Sequence, residues 1–302
     1  MRNFILFLCF FLASVVTTLA QHDGPFTPRS GGGLLSGHFH YQSYSQIQQL
    51  DTSNPQNLLR PVTHMSFRFM AEYGALDRLT LFVMLPVNIV STGKELNTGA
   101  DFTDTLRSGT VTGLGNVEAG VKYKFYNKKW LLAASLRSEL KTGTYDNGTG
   151  LRTANDAWGF IPMVHLGRSW KEKYYLFADL GGCYRTDNYS GDWRIQLEGG
   201  ARLFNALWLR GAIHSRRSFY NGKFEKENNL QTSLFVNNQE WLMLNARIDY
   251  QHPIGFGIQA GISGYFLGNN IAATPMFYGG VYYKWNYDYG EADTYRIERK
   301  NN

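Results

Sequence analysis

Cysteine is scarce in this chain of 302 residues, which contains only Cys9 and Cys183. Cys9 falls in an N-terminal apolar segment that we expect to be removed, so the single cysteine that remains cannot form an intrachain disulfide. Beyond that segment the chain lacks any run of about 18 consecutive apolar residues, and its mean hydropathy is slightly negative. The sequence therefore excludes helical membrane spans.

Two further absences narrow the possible functions. No glycine-rich phosphate loop follows a strand and opens a helix, so nucleotide binding has no support. Lysine and arginine exceed aspartate and glutamate by 30 to 24, but these basic residues are spread along the chain and form no basic arm. We therefore expect no nucleic-acid partner.

The N-terminus has the pattern of an export signal. Arg2 precedes an apolar stretch over residues 4–16, and small residues follow up to Ala20. This pattern predicts a signal peptide over residues 1–20, cleaved before Gln21. The apolar stretch is too short for a membrane anchor, and polar sequence follows it.

Several later segments alternate apolar and polar residues over ten or more positions, which is longer than the usual strand of a soluble domain. In the segment 78–90, for example, every second residue from Leu79 to Ile89 is apolar. Strands of this length that are apolar on one face suit a tilted crossing of a bilayer. The pattern predicts twelve strands, at 34–46, 61–74, 78–91, 114–126, 130–142, 157–169, 174–186, 192–204, 207–219, 240–251, 255–267 and 275–287.

The predicted connections alternate strictly between short and long. The links that begin near residues 74, 127, 170, 205 and 252 are short, and longer polar links lie between them. An up-and-down barrel has this arrangement, with tight turns at one end and longer loops at the other. We therefore predict an all-β transmembrane antiparallel barrel over residues 34–287, after a short periplasmic segment at 21–33 and before a charged tail at 288–302.

Two details of this barrel stay open. Ten or fourteen strands are alternatives to twelve, because residues 220–239 could contain another hairpin around Leu230 to Val236. The segment 21–33 is too short to form a separate plug domain, but it could enter the lumen. The long link 92–113 is a further segment that could fold inward and narrow a pore.

The last predicted strand has a glycine followed by alternating aromatic residues: Gly280, Tyr283, Trp285 and Tyr287. This run resembles the C-terminal signal by which the barrel-assembly machinery recognises outer-membrane barrels. That signal normally ends the chain, whereas here a charged tail follows. The sequence thus predicts a protein of the bacterial outer membrane whose partners are outer-membrane lipid, a small-molecule solute and, during biogenesis, the assembly machinery.

If the apolar faces meet lipid, the opposite faces line the lumen. Charged residues on those faces could form cross-strand ion pairs that hold the wall together. Their basic excess could instead concentrate anionic solutes in a narrow passage. The lumen-lining candidates are Arg68, Arg78, Glu118, Lys122, Lys124, Arg137, Glu139, Arg194, Glu198, Arg202, Arg210, Arg247 and Asp249.

One strand resembles a known family. Residues 113–125, with the sequence GLGNVEAGVKYKF, are similar to the GlGD-x-E-x-G-x-KY-x-F strand of outer-membrane proteins named after the meta-pathway of phenol degradation. The run LTLFVMLP at 79–86 also fits that family, while Asn116 departs from its usual aspartate. The resemblance implies uptake of small, often hydrophobic compounds, as in fatty-acid and aromatic-hydrocarbon channels, and it implies no catalytic residues.

An enzyme is the less favoured hypothesis. Hydrolysis needs a nucleophile beside an oriented histidine, but His214 and Ser215 are adjacent and so face opposite sides of a strand. His38 and His40 share a face without a carboxylate on the same strand to complete a metal site. We therefore expect no enzymatic activity, no metal and no cofactor. The favoured function is a channel for passive uptake of small solutes, hydrophobic or anionic, and the alternatives are a non-transporting structural barrel or a lipid-modifying hydrolase.

Overall fold

The computed structural model describes residues 24–49, 54–96, 107–170, 173–204, 206–223 and 232–288. The predicted signal peptide at 1–20 lies outside these residues, as does nearly all of the charged tail. The described residues include no helix long and apolar enough to cross a membrane. They form the strands β1 (Thr27–Gln48), β2 (Gln56–Leu76), β3 (Leu79–Thr92), β4 (Gly109–Leu114), β5 (Val117–Asn127), β6 (Leu131–Leu140), β7 (Gly159–Trp170), β8 (Tyr174–Arg185), β9 (Asp192–Arg202), β10 (Leu207–Ser218), β11 (Glu240–Gln251), β12 (Phe256–Asn269), β13 (Ile271–Ala272) and β14 (Met276–Asp288).

These strands close into one antiparallel barrel. Apart from the short strands β4 and β13, each strand pairs with the long strands before and after it, and β1 pairs with both β2 and β14, which joins the first strand to the last. The short strands β4 and β5 lie end to end beside β3, and β13 is a two-residue extension that pairs with β1. The barrel therefore has twelve strands, as the sequence predicts, and the described residues 232–239 form turns and no additional hairpin.

The strand boundaries differ most from the prediction at the starts of β1, β2 and β4 and inside the strand predicted at 114–126. β1 begins at Thr27 and β2 at Gln56, several residues earlier than predicted. Their ends continue to pair with neighbouring strands beyond the segments in which apolar and polar residues alternate. The predicted strand 114–126 is interrupted between β4 and β5, where residues 115–117 lie opposite only residues 85–86 of β3. Pro86 has no N–H to donate at this point, and an extra residue in the opposite strand forms a bulge there.

The alternating pattern places apolar side chains on the outside and charged side chains inside. Ile195 and Ile248 are each 52% exposed on the outer surface, whereas Lys122 and Arg247 are each 1% exposed and point inward. All short turns lie at one end of the barrel, which we call the short-turn end, and the longer connections lie at the opposite, long-loop end. The outer surface therefore matches the hydrocarbon layer, and the polar groups face the lumen.

Candidate functional site

The lumen contains a cavity of about 390 Å³ in the half nearer the long-loop end. Residues from β1, β2, β3 and β5 line one side, and residues from β6 to β12 and β14 line the rest. Ser233, Leu234 and Phe235 of the β10–β11 loop face it from the long-loop end. Its volume lies within the range of about 300–1,000 Å³ that is usual for small-molecule sites.

Part of the cavity wall is apolar and adaptable. Trp241, Tyr265 and Phe235 contribute aromatic rings, and the Trp241 and Tyr265 rings meet edge to face with 5.9 Å between their centroids. Methionine side chains are flexible and polarizable, and they pack against ligands of varied shape. Five of them line the cavity: Met70, Met84, Met163, Met243 and Met276.

An ionic cluster forms the opposite part of the wall. Asp192, which is 1% exposed, accepts contacts from Arg185 at 2.5 Å, from Arg194 at 2.7 Å and from Arg216 at 2.8 Å. Glu139 contacts Arg185 at 3.5 Å and Arg194 at 3.3 Å. Two carboxylates thus hold three guanidinium groups, and the cluster keeps one positive charge in excess.

Arg137 and Arg68 complete the charged lining. Arg137 forms an ion pair of 2.8 Å with Glu118. Arg68 makes one long hydrogen bond, from its Nε to Ser66 Oγ at 3.4 Å, and it has no ion pair with a carboxylate among the described residues. The cavity therefore has two uncompensated positive charges, one from the Asp192 cluster and one from Arg68.

A second polar layer separates the cavity from the short-turn end. Arg247 contacts Glu198 at 3.0 Å, and Arg210 contacts Asp249 at 3.2 Å. Tyr175 donates a hydrogen bond of 2.5 Å to Glu198 in the same layer. Arg247, Glu198 and Asp249 are each at most 3% exposed, so these side chains pack closely against one another and narrow the lumen.

The first residues of the described chain add to this obstruction. Gly24 donates its N–H to Asp179 Oδ2 at 2.9 Å, and its carbonyl accepts a hydrogen bond of 3.0 Å from Lys122 Nζ. The ring of Phe26 packs edge-on against Tyr175 and Phe177 of β8, at 5.8 and 6.3 Å between centroids. Residues 24–26, which we call the N-terminal plug, therefore cross the lumen from β1 and bind the opposite wall.

A hydrogen-bonded chain beneath the plug joins a serine, a histidine and an aspartate. Ser135 Oγ lies 2.9 Å from His165 Nε2, and His165 Nδ1 lies 2.8 Å from Asp179 Oδ1. This is the order of groups in a serine hydrolase. The other oxygen of Asp179 accepts the N–H of Gly24, so the chain also anchors the N-terminal plug.

The long-loop end has its own cover. Leu234 and Phe235 pack on a cluster of buried apolar residues that point into the barrel mouth, and the Phe235 ring meets His64 edge-on at 5.8 Å. The hydroxyl of Tyr44 donates to the carbonyl of Thr232. The buried cluster comprises Tyr44, Ile47, Leu58, Val62, Val90, Val111, Leu151 and Ala272. Residues 232–235 of the β10–β11 loop and Leu151 of the β6–β7 loop thus fold inward and form a cap.

Most of the residues predicted to line the lumen point into it. Some of them line the cavity, and the others belong to the polar layer nearer the short-turn end. Arg68, Glu118, Arg137, Glu139 and Arg194 line the cavity. Lys122, Lys124, Glu198, Arg210, Arg247 and Asp249 belong to the layer and plug nearer the short-turn end, and Arg202 lies half-buried below them. Arg78 is the exception: it lies in the β2–β3 turn and is exposed, because the chain reverses there before the strand pattern begins.

The sequence analysis did not single out Ser135 or Asp192. Asp192 begins its strand and looks like a turn residue, although it carries the central negative charge of the cavity wall. The paired histidines of β1 are both buried and inward, and His38 Nε2 lies 3.0 Å from Gln259 Nε2. Among the described residues no group of three or more His, Cys, Asp or Glu could hold a metal ion.

The fold is similar to that of solved outer-membrane proteins. An outer-membrane channel from Pseudomonas putida F1 superimposes with a TM-score of 0.66 at 13% identity, over 89% of this chain and all of that chain. The toluene transporter TodX of Pseudomonas putida gives a TM-score of 0.42 at 11% identity, over 90% of this chain and all of that one. The monoaromatic hydrocarbon channel CymD gives 0.46 at 10% identity, over 85% and 88% of the two chains.

The likeness to the first of these structures concerns the fold alone. No curated protein is similar enough in sequence to count as a relative. The family model described as "Putative MetA-pathway of phenol degradation" matches residues 28–213, which is more than half of the chain. This protein, a twelve-stranded antiparallel β-barrel, therefore belongs to that family.

Proposed function

We propose that the protein is an outer-membrane channel for the passive uptake of small solutes. The observation that supports this most directly is the cavity of about 390 Å³ inside a closed barrel, lined by arginine, methionine and aromatic side chains. A barrel with a purely structural role needs no such chamber, because its lumen could be filled by packed side chains. The chamber lies between the N-terminal plug and the cap, the two segments that must move when a solute passes.

The location and biogenesis of the protein are part of the same proposal. The chain is exported by its N-terminal signal peptide and placed in the outer membrane by the barrel-assembly machinery. The recognition run lies in β14, where the rings of Tyr283 and Trp285 stack at 5.8 Å. Tyr283 is exposed on the outer surface, where the machinery and the lipid can reach it.

Single-channel recording in planar bilayers tests this function. We expect the refolded protein to give discrete conductance steps with a preference for chloride over potassium, because the cavity has excess positive charge. A reversal potential in a salt gradient measures that preference. Liposome swelling with small uncharged solutes checks passage independently, and a barrel that gives neither steps nor swelling would move the assignment to a structural role.

The cap provides a separate prediction. Replacing Leu234 and Phe235 with glycine removes the apolar contacts that hold the β10–β11 loop in the mouth, so we expect longer or more frequent open states in the same recordings. Phe266→Gly is the matched control, since Phe266 is 68% exposed on β12 and points away from the lumen. Equal open probability in the cap variant and the control would show that the loop does not limit passage.

The Ser135–His165–Asp179 chain supports a second candidate, an ester hydrolase. We prefer the channel because Asp179 is also bound to the N-terminal plug, and none of the three residues lines the cavity. A fluorophosphonate probe distinguishes the two. Labelling that disappears in Ser135→Ala would support hydrolysis. If neither the unmodified protein nor a variant without the plug contacts is labelled, the role of the three hydrogen-bonded residues is to anchor the N-terminal plug. The absence of enzymatic activity stays a prediction.

A further inference from the structure

We infer that the cavity is a binding site for small organic monoanions that have an apolar body, such as an aryl or alkyl carboxylate, with the carboxylate seated on Arg68. This inference deepens the proposed function and rests on it, since it names the class of solute that the channel selects. Three independent features of the cavity support it: the state of Arg68, the distribution of charge and the chemistry of the remaining wall.

Arg68 is the first feature. It projects from β2 into the cavity, opposite His38 of β1, and its one hydrogen bond among the described residues, to Ser66 Oγ, is long at 3.4 Å. A guanidinium group held away from bulk water without a counter-charge is unfavourable. A carboxylate satisfies it best, because two parallel N–H···O bonds match the planar fork of arginine. Beside it, Nε2 of the buried His64 has no hydrogen-bond partner among the described residues.

The contacts between the arginines and the carboxylates of the cavity favour a ligand with one negative charge beside Arg68. Of the other four cavity arginines, Arg137 is neutralised by Glu118, and the remaining three share Asp192 and Glu139. Arg216 is further occupied by the face of Trp241, with its guanidinium carbon 4.7 Å from the ring centroid. Arg68 is therefore the cavity cation that is left for a ligand, and a monoanion matches it.

The remaining wall sets the nature of the rest of the ligand. Met70, on the same strand two residues from Arg68, lines the cavity with Met84, and Met243 and Met276 line it as well. Thioether groups and aromatic rings offer favourable contacts to an apolar or aromatic body and little to a hydrated inorganic ion. A ligand with a carboxylate at one end and a ring or short alkyl chain at the other uses both parts of the wall.

Isothermal titration of the refolded full-length barrel in detergent tests the inference, with benzoate as the probe and benzamide as its uncharged counterpart. We expect saturable binding of benzoate and binding of benzamide that is at least about tenfold weaker, because the charge-assisted hydrogen bonds are lost. Acetate has the carboxylate without the apolar body, so it should also bind more weakly than benzoate. Equal affinities for benzoate and benzamide would overturn the assignment.

Arg68→Gln should weaken benzoate binding by about ten- to hundredfold and leave benzamide binding unchanged. Arg78→Gln is the matched control, since it makes the same substitution at an exposed turn residue, and it should bind benzoate like the unmodified protein. Arg68 makes no ion-pair contact with a carboxylate among the described residues, so its replacement removes no such contact and is not expected to impair folding. Met243→Trp offers a second route: it fills the cavity, keeps Arg68 and should also abolish benzoate binding.

The channel function and the binding site for organic monoanions can be refuted separately. If the channel conducts and benzoate binds no better than benzamide, the inference is wrong and the channel stands. If benzoate binds in an Arg68-dependent manner but neither conductance nor swelling is observed, the binding site stands and the transport function is wrong. Benzoate binding that is unchanged in both Arg68→Gln and Met243→Trp would place the ligand outside the cavity and refute the site.

Discussion

Exchanging Phe26 for glycine together with Asp179 for alanine should raise the single-channel conductance of the barrel several-fold. Phe26 provides the aromatic contacts of the N-terminal plug with β8, and Asp179 accepts the N–H of Gly24. Without them the plug loses its aromatic packing on β8 and keeps, of its two hydrogen bonds to the far wall, the one from Lys122 to the Gly24 carbonyl, so residues 24–26 can leave the lumen more readily. The measurement is conductance of the purified variant in planar bilayers at fixed voltage and salt.

Phe204→Gly is the control for this plug variant. Phe204 is 73% exposed in the β9–β10 link at the same end of the barrel, so its loss removes an aromatic ring without touching the lumen. Heat-dependent mobility on a denaturing gel checks that both variants keep a closed barrel. Should the plug variant conduct no better than the control, the plug does not limit passage, and the Glu198–Arg247 layer becomes the principal barrier.

The second large effect concerns stability. Asp192→Asn should lower the free energy of unfolding by about 3–5 kcal/mol, because it leaves three buried guanidinium groups with a single carboxylate. Asp192 is 1% exposed and contacts Arg185, Arg194 and Arg216 within 2.8 Å. Urea titration of the refolded barrel in lipid vesicles, followed by tryptophan fluorescence, measures the change.

Two comparisons isolate the cause of that loss. Asp187→Asn changes an aspartate whose side chain is 46% exposed and whose contact with Lys141 is 3.5 Å long, so it should cost only about 0–1 kcal/mol. Combining Asp192→Asn with Arg216→Met removes one positive charge and should restore part of the stability. A double variant as unstable as Asp192→Asn alone would mean that packing around Asp192, and not charge, determines the effect.

The barrel could be predicted from the sequence because its wall is determined locally. Alternating apolar residues such as Leu79 to Ile89 fix which face of a strand meets lipid, and link lengths fix the up-and-down order. The early start of β1 could not be predicted in this way, since Thr27 and Pro28 pair with β14 without an apolar pattern. Pairing at that end depends on the partner strand.

The interior could be predicted only in outline. Periodicity places Arg194 and Arg247 in the lumen, but their contacts with Glu139 and Glu198, which lie on other strands, are determined by packing inside the barrel. Arg194, which the sequence suggests as a selectivity residue, is held by two carboxylates. Arg68 looks no different in the sequence, yet it has no carboxylate partner among the described residues. Which charges are free to meet a solute is thus decided by contacts between distant strands.

The attachment of the N-terminal plug has a consequence for the order of assembly. The hydroxyl of Tyr287, in the last strand, donates a hydrogen bond of 3.2 Å to the carbonyl of Phe26, and Thr27 pairs with Asp288. The last strand, β14, therefore supplies a contact that holds the N-terminal plug in the lumen. Because the same strand pair both closes the barrel and holds residues 24–26, we expect closure of the barrel and obstruction of its lumen to occur together.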